Sequence, residues 1–334
     1  MSLWALRVAV TLALPISYTP YVPLRVRRRS RRASRRPLLA VLALLVCAGA
    51  ALLFDRACLN GASATAAARP VSAPSSGPAL QGASPSDLST GACQAFAPTG
   101  KPRGATVFID PGHGGLDPGV TGRTPSGDQL KESTVALAVA TELGRQLRHD
   151  GYRVVLSRTA DTSVSRFATS SGLLTSSQVR QDLQARVRCA NGSRAVALVS
   201  VHFNGYQDET VGGTQTIYDA ARPFAADNMR LAQSLQSAMV SRLNLTDRGV
   251  MTDDELQAPT LSDRAGSYGH LLLLGPPQAG WLDEGTAMPG ALVESLFLTA
   301  PPEAAIAASP SGQRRLASAL AAGLESFLAT APVH

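Results

Sequence analysis

Outside its first 36 residues, the sequence lacks the excess of basic residues that is typical of a nucleic-acid-binding protein. The 334-residue chain has a formal net charge of +7. Nine arginines and no acidic residue lie in residues 1–36, which leaves 22 basic and 24 acidic residues in the remainder. The body of the protein is therefore close to neutral, and we expect no nucleic-acid partner.

The sequence also lacks internal repeats, and it has few aromatic residues and few cysteines. The absence of a repeating segment argues against a repeat architecture. Of the four cysteines, Cys47 and Cys58 stand in no convincing lipoprotein context. If an N-terminal segment is removed on export, Cys93 and Cys189 remain, and an even pair in an exported protein favours a disulfide. Two unpaired thiols are the alternative.

An apolar run follows the arginine cluster. Residues 38–54 are seventeen uncharged, mostly apolar residues, and Ser34–Leu39 resembles a twin-arginine signal. A charged segment before an apolar one is typical of an export signal. An uncleaved membrane anchor is the alternative, because seventeen residues is the short limit for a span. We expect an exported protein that contacts the membrane only through this signal or anchor.

The composition divides the chain into three parts. Residues 1–58 hold the arginine-rich tail and the signal or anchor, and residues 59–103 read as a linker rich in Ala, Ser, Pro and Gly. Residues 104–331 alternate short apolar runs with amphipathic helix patterns, which predicts an α/β domain with a single, mainly parallel, twisted sheet flanked by helices. The predicted strands are 107–109, 153–157, 195–201, 213–218, 270–274 and 291–294, the predicted helices are 132–149, 178–190, 225–243 and 314–328, and residues 163–177 and 246–267 are predicted loops.

Four chemically capable side chains stand at the ends of predicted elements. His113 lies in a glycine-rich turn after the first strand, Glu132 begins the first helix, His202 follows the third long strand, and Glu294 ends the last strand. Each alone has a structural explanation; Glu132, for example, would complement the helix dipole. Together, two imidazoles and one carboxylate form the ligand set of a catalytic zinc site. A second carboxylate that does not bind the metal then serves as general base, a role that suits Glu294.

These residues lie in motifs that resemble those of the zinc-dependent N-acetylmuramoyl-L-alanine amidases, which hydrolyse peptidoglycan. The motifs are Ile109–Gly115 (Ile-Asp-Pro-Gly-His-Gly-Gly), Lys131-Glu132, Ser200–Asn204 (Ser-Val-His-Phe-Asn) and Met288–Glu294 (Met-Pro-Gly-Ala-Leu-Val-Glu). Weaker echoes are Gly151–Arg158 and Asp247–Val250. The resemblance covers about residues 105–328 and implies the family's α/β fold, similar to that of zinc carboxypeptidases.

The resemblance implies one Zn²⁺ per chain, bound by His113, Glu132 and His202, with Glu294 as the catalytic acid/base. It implies cleavage of the amide between N-acetylmuramic acid and L-alanine, in peptidoglycan or its muropeptide fragments, by an enzyme of the cell wall or periplasmic space. Asn204, Arg248 and His270 are weaker candidates for substrate contact. Phe203 stands where the family usually has a small residue, so we expect an altered groove floor.

Two other functions remain open from the sequence. One is a zinc amidase or peptidase that acts on another peptide, with the same catalytic groups and a different groove. The other is an amidase-like domain that binds glycan without cutting it. The second alternative predicts a lost ligand or a lost general base, and the sequence retains His113, Glu132, His202 and Glu294.

Overall fold

The computed structural model describes residues 85–168, 172–256, 261–264 and 266–330. The arginine-rich tail, the signal or anchor, and the linker as far as residue 84 lie outside them. Within the described part of the chain, no helix is long and apolar enough to cross a membrane. The strands are β1 (Gln94–Phe96), β2 (Thr106–Pro111), β3 (Thr121–Arg123), β4 (Gln129–Lys131), β5 (Arg153–Leu156), β6 (Ala197–Asn204), β7 (Thr214–Tyr218), β8 (Asp247–Thr252), β9 (Leu261–Asp263), β10 (Gly266–Tyr268) and β11 (Gly290–Phe297). The α-helices are α1 (Glu132–His149), α2 (Ser176–Ser193), α3 (Ala225–Leu243), α4 (Pro301–Ala308) and α5 (Pro310–Thr330).

Seven strands form the central sheet, in the order β1-β5-β2-β6-β11-β7-β8. The four central strands β5, β2, β6 and β11 run parallel, whereas β7 runs antiparallel to β11 and β1 antiparallel to β5. The outer strand β8 is parallel to β7. The prediction of a mainly parallel sheet flanked by helices is therefore confirmed.

Both faces of the sheet are buried. Successive residues of a strand point to opposite faces, so one strand contributes to two cores. In β2, Val107 and Ile109 join a core with α1, α3 and α5, whereas Phe108 joins a second core with α2 and the segment between β8 and β11. Helices cover the first face because their apolar residues recur at helical spacing, as Val135 and Val139 do in α1. Continuous apolar runs such as those of β2 and β6 fit this burial on both sides.

Two segments between β7 and β11 have a different structure from the one predicted. Residues 270–274 do not form a strand but a turn, in which the N–H groups of Leu274 and Gly275 donate to Leu271 O. Their leucines are buried in the second core without a strand partner, which explains the misleading apolar run. Residues 246–267, predicted as a loop, contain β8 and the hairpin β9–β10.

Residues 85–103, assigned from composition to the linker, contribute to the folded domain. They form β1, which pairs with β5 at one edge of the sheet. A disulfide joins Cys93, just before β1, to Cys189 of α2, with their Cα atoms 5.5 Å apart. The structure thus contains the disulfide that the sequence analysis favoured over two unpaired thiols.

Candidate metal centre

The four predicted catalytic side chains converge at the carboxyl ends of the central parallel strands. His113 follows β2, His202 lies within β6, and Glu294 lies within β11, where it pairs in register with His202. Glu132 is the first residue of α1. This edge of an open α/β sheet is where such folds place their ligands, because the loops there diverge and leave a crevice.

The loop after β2 presents His113 through an unusual backbone conformation. His113 has a φ of 58°, in the left-handed region that few residues other than glycine occupy. Two glycines keep the space around the histidines open: a Cβ at Gly112 would overlap the His202 ring, and one at Gly119 would crowd Glu132 and His113. The glycine-rich motif therefore serves close packing around the imidazoles.

Glu132 lies between the two histidines and is almost fully buried. Its Oε2 is 3.1 Å from Nε2 of His113, and its Oε1 is 3.0 Å from Nδ1 of His202. Backbone N–H groups fix the carboxylate: that of Val120 donates to Oε2 at 2.8 Å, and that of Phe203 donates to Oε1 at 2.9 Å. One ligand atom from each of His113, Glu132 and His202 lies within 4.8 Å of the other two.

Phe203 plays a different part from the one expected. Its side chain is buried in the core on the α1 face of the sheet, because it points away from the neighbouring His202. It therefore does not form the groove floor, and the expected alteration of that floor was wrong. Only the backbone N–H of Phe203 reaches the site, through Glu132.

The three groups are electrostatically coupled. Burial by itself would raise the pKa of Glu132, but the charge of His113 and hydrogen bonds from both imidazoles hold that pKa well below its ordinary value. Burial would lower the pKa of His113, and this is outweighed by the charges of Glu132 and Asp117, which raise it well above the ordinary value. The site therefore favours positive charge at its centre. A divalent cation would supply that charge in place of imidazole protons.

Asp117 orients the first histidine from outside the triad. Its Oδ2 accepts a hydrogen bond from Nδ1 of His113 at 2.8 Å, and its Oδ1 accepts one from the Gly119 N–H at 3.1 Å. This leaves Nε2 of His113 as the nitrogen that faces Glu132. A carboxylate that holds the second nitrogen of a ligating histidine is a recurrent feature of metal sites.

Glu294 stands beside the triad with one unsatisfied oxygen. The side chain is partly exposed, yet its Oε2 is buried and accepts no hydrogen bond from the described residues. Burial, and then the negative charge of Glu132, raise the pKa of Glu294 to about 8, against the opposing effect of His113. A carboxyl group with a pKa near neutrality is suited to exchanging protons in a catalytic cycle.

These observations fit a bound metal ion. The donor set of two imidazole nitrogens and one carboxylate is that of catalytic zinc sites, and its atoms already converge. Gly112 and Gly119 let the backbone approach the imidazoles and Glu132 closely. The unpaired oxygen of Glu294 lies beside the triad without belonging to it.

The buried guanidinium of Arg186 supports the loop that carries His113. Arg186 of α2 donates to Asp110 Oδ1 at 2.8 Å, to Pro111 O at 2.8 Å and to His113 O at 2.5 Å. Its Nε donates to Asp182 Oδ2 at 3.0 Å. Arg186 is 2% exposed, so it is a fixed part of the loop's support.

Replacing Arg186 by glutamine is expected to lower the free energy of unfolding by about 3–5 kcal/mol, because it leaves two buried carboxylates without their partner charge. Urea unfolding measures this change. Arg188→Gln, an exposed change in the same helix, is the matched control. If the two variants unfold within about 1 kcal/mol of each other, the network does not support the loop as described.

The weaker candidates for substrate contact lie in different places. Asn204 follows His202 by two residues in β6, and its side chain accepts a hydrogen bond from the Gly205 N–H. Arg248 lies in β8 near the Gln215 side chain, and Gln215 pairs with Glu294. Both are therefore at the edge of the sheet that holds the triad.

His270 is not brought to this edge. It lies 3.0 Å from Asp219, which follows β7, and β7 runs away from Glu294. Four strand residues, or about 13 Å, separate the level of Gln215 from that of Asp219. His270 therefore lies away from the triad, and its contact with the substrate stays a prediction.

Sequence reasoning missed Asp110, Asp117 and Arg186 as supporting residues. Asp110 lies inside the His113 motif and Asp117 lies two residues after it, but no pattern distinguishes them from ordinary turn residues. Arg186 was detectable from its position. It falls four residues after Asp182 on a helix face that also carries the apolar Ala185 and Cys189, and a charge pair on a buried helix face is uncommon.

The chain is similar to known proteins in sequence and in fold. The profile of a family described as N-acetylmuramoyl-L-alanine amidase matches residues 107–326. The amidase LytC of Bacillus subtilis is 34% identical over 149 residues, which are 45% of this chain and 25% of LytC. The germination-specific N-acetylmuramoyl-L-alanine amidase of the same organism is 28% identical over 221 residues, which are 66% of this chain and 78% of that protein.

A solved structure supports the fold. The CwlD amidase from Clostridioides difficile, determined in complex with the GerS lipoprotein, has a TM-score of 0.53 and 21% identity and covers 68% of this chain and all of its own. At this identity the likeness concerns the fold alone. The family profile spans well over half of the sequence, so the chain belongs to the N-acetylmuramoyl-L-alanine amidase family.

Proposed function

We propose that the protein is an exported, zinc-dependent N-acetylmuramoyl-L-alanine amidase that cleaves the amide between N-acetylmuramic acid and the first L-alanine of the stem peptide. The observation that carries the proposal is the convergence of His113, Glu132 and His202 beside a carboxyl group with an unpaired oxygen. Membership of the family supports the choice of substrate.

In this proposal His113, Glu132 and His202 hold one Zn²⁺. Bound zinc supplies Lewis-acid chemistry, since it acidifies water and polarises a carbonyl group. The chain's own part is to fix the three ligands before the metal arrives. The Val120 and Phe203 N–H groups hold Glu132, and Asp117 holds the His113 ring.

Glu294 moves the proton. Its Oε2 accepts a proton from the attacking water, because no hydrogen bond from the described residues occupies that oxygen. The same group then donates the proton to the leaving alanine nitrogen as the amide C–N bond breaks. Burial and the charge of Glu132 raise its pKa above the ordinary value for a glutamate, which suits a group that both accepts and donates a proton.

Arg248 and Asn204 are the proposed contacts for the substrate outside the reacting bond. The Arg248 guanidinium lies over the Phe297 ring at 5.1 Å, and its Nε is buried without a hydrogen-bond partner among the described residues. A cation of this kind suits a carboxylate of the stem peptide. Asn204 lies on the same strand face as His202.

The proposal includes export to the cell wall or periplasmic space, supported by the signal-like residues 38–54 and by family members that act on the wall. Its partner is peptidoglycan or muropeptide fragments, with membrane contact only through the N-terminal segment. Amidase or peptidase action on another peptide is the second candidate. The chain spans about a quarter of LytC and about three quarters of the germination-specific amidase.

Mass spectrometry of digested peptidoglycan tests the proposed function. The protein is stripped of metal with a chelator, and half of it is reloaded with Zn²⁺. The reloaded protein is expected to release stem peptides that begin with L-alanine and carry no muramic acid, and the stripped protein is expected to release none. Cleavage within the stem peptide would instead favour a peptidase. A zinc-loaded protein that leaves the wall intact would refute wall hydrolysis.

A further inference from the structure

A second group of ligand-type side chains lies at the opposite edge of the sheet. It consists of Asp219 after β7, Asp253 after β8, and His270 in the turn after β10. In the part of the chain that the structure describes, this group and the catalytic triad are the two sets that bring three such ligand atoms within 4.8 Å of one another. The proposed catalytic mechanism makes no use of it.

Nδ1 of His270 faces two carboxylates at once. It lies 3.0 Å from Asp219 Oδ2 and 3.2 Å from Asp253 Oδ1. The catalytic triad shows the same spacing, with its imidazole nitrogens 3.1 and 3.0 Å from Glu132 oxygens. Metal–ligand bonds of about 2.0–2.2 Å at tetrahedral angles place neighbouring ligand atoms about 3.3 Å apart, close to these distances.

One carboxylate oxygen of this group, Asp219 Oδ2, has no hydrogen-bond partner among the described residues. Asp219 Oδ1 accepts from the N–H groups of Ala221 and Arg222, and Asp253 Oδ2 accepts from the Leu271 N–H at 2.8 Å. The single Nδ1 proton of His270 is directed to Asp253 Oδ1. Asp219 Oδ2 is fully buried, lies 3.0 Å from the same nitrogen, and accepts no hydrogen bond from the described residues.

The neighbouring guanidinium of Arg222 does not donate a hydrogen bond to Asp219 Oδ2. Arg222 directs its terminal N–H groups to Thr286 and to Asn228 Oδ1, not to either carboxylate. It contributes a positive charge nearby, but it donates no hydrogen bond to Asp219 Oδ2. An orphaned acid oxygen beside an imidazole and a second carboxylate is also what the catalytic cluster shows in Glu294.

We propose that Asp219, Asp253 and His270 form a second zinc site that ties the ends of β7 and β8 to the turn after β10. One nitrogen and two carboxylate oxygens suit Zn²⁺, with water as the fourth ligand. His270 is 25% exposed at its side chain, so water and the ion can reach the site. The ion would fix the segment between β8 and β11 to the sheet, about one strand length away from the catalytic edge.

Zinc stoichiometry of the whole protein tests this proposal. Protein is dialysed against Zn²⁺ and the bound metal is counted by inductively coupled plasma mass spectrometry. We expect two zinc ions per chain in the wild type, one in Asp219→Asn and one in His113→Ala. Asp254→Asn is the matched control, because it makes the same change at the exposed residue next to Asp253, and it should keep both ions.

Asparagine at position 219 retains an oxygen to accept the Ala221 and Arg222 N–H bonds, and circular dichroism checks that the variant folds. If it does not, His270→Ala provides the same count with a less buried residue. One zinc in the wild type that is lost in His113→Ala would overturn the proposal, as would two zincs in both Asp219→Asn and His270→Ala. The cluster would then be a hydrogen-bond network that holds a shared proton.

Discussion

Glu294→Gln is expected to lower kcat on peptidoglycan by about 10²–10⁴-fold, the usual contribution of a positioned acid/base. Glutamine has the same shape as glutamate but cannot carry the proton from water to the leaving nitrogen. Zinc content should equal that of the wild type, because Glu294 lies outside the triad of ligands. Released stem peptide per unit time gives the turnover, and mass spectrometry gives the metal content.

The same variant should unfold no more easily than the wild type. Burial and the neighbouring Glu132 charge raise the pKa of Glu294, which means that its ionised form is disfavoured in the folded protein. Removing that charge relieves repulsion without emptying space. Glu284→Gln, at an exposed position, is the control. Near-wild-type turnover in Glu294→Gln would remove Glu294 from the mechanism.

The other large effect is expected for His113→Ala. It removes one ligand of the triad and leaves Asp117 without the imidazole that it holds. Loss of even an outer partner of a metal ligand weakens metal binding about 10–100-fold, so we expect a loss of at least about 100-fold here. Hydrolysis should disappear with the metal.

Competition with a chromogenic chelator measures the zinc affinity of the catalytic site. His149→Ala is the matched control, since that imidazole is 80% exposed at the end of α1. If His113→Ala keeps wild-type zinc affinity at this site, His113 is not a ligand. Circular dichroism accompanies the measurement, because a variant that does not fold would lose zinc and activity for a reason unrelated to ligation by His113.

The sequence allowed prediction where burial leaves a periodic pattern. The runs of β2 and β6 are apolar because both faces of the sheet are covered, and α1 shows its buried stripe directly. The positions of the motifs around His113, Glu132, His202 and Glu294 also predicted that these side chains converge, because parallel strands bring their carboxyl ends to the same edge of a sheet.

The missed elements have no such pattern. The strand β8 begins with Asp247 and is only partly buried over most of its length, and β1 has three residues held by a single neighbour and a nearby disulfide. Conversely, residues 270–274 were predicted as a strand because they are mostly apolar, although their leucines pack against side chains and not against a second strand. Burial and strand pairing leave the same composition, and a single sequence does not separate them.

The position of β11 has a consequence for the order in which the protein becomes active. This strand is the last of the sheet to leave the ribosome, yet it inserts between β6 and β7 at the centre. The three proposed ligands are all synthesised at least 92 residues before Glu294. A nascent or prematurely terminated chain that lacks β11 therefore has neither the proposed proton carrier nor the strand that joins β6 to β7, and the proposed hydrolysis requires a nearly complete chain.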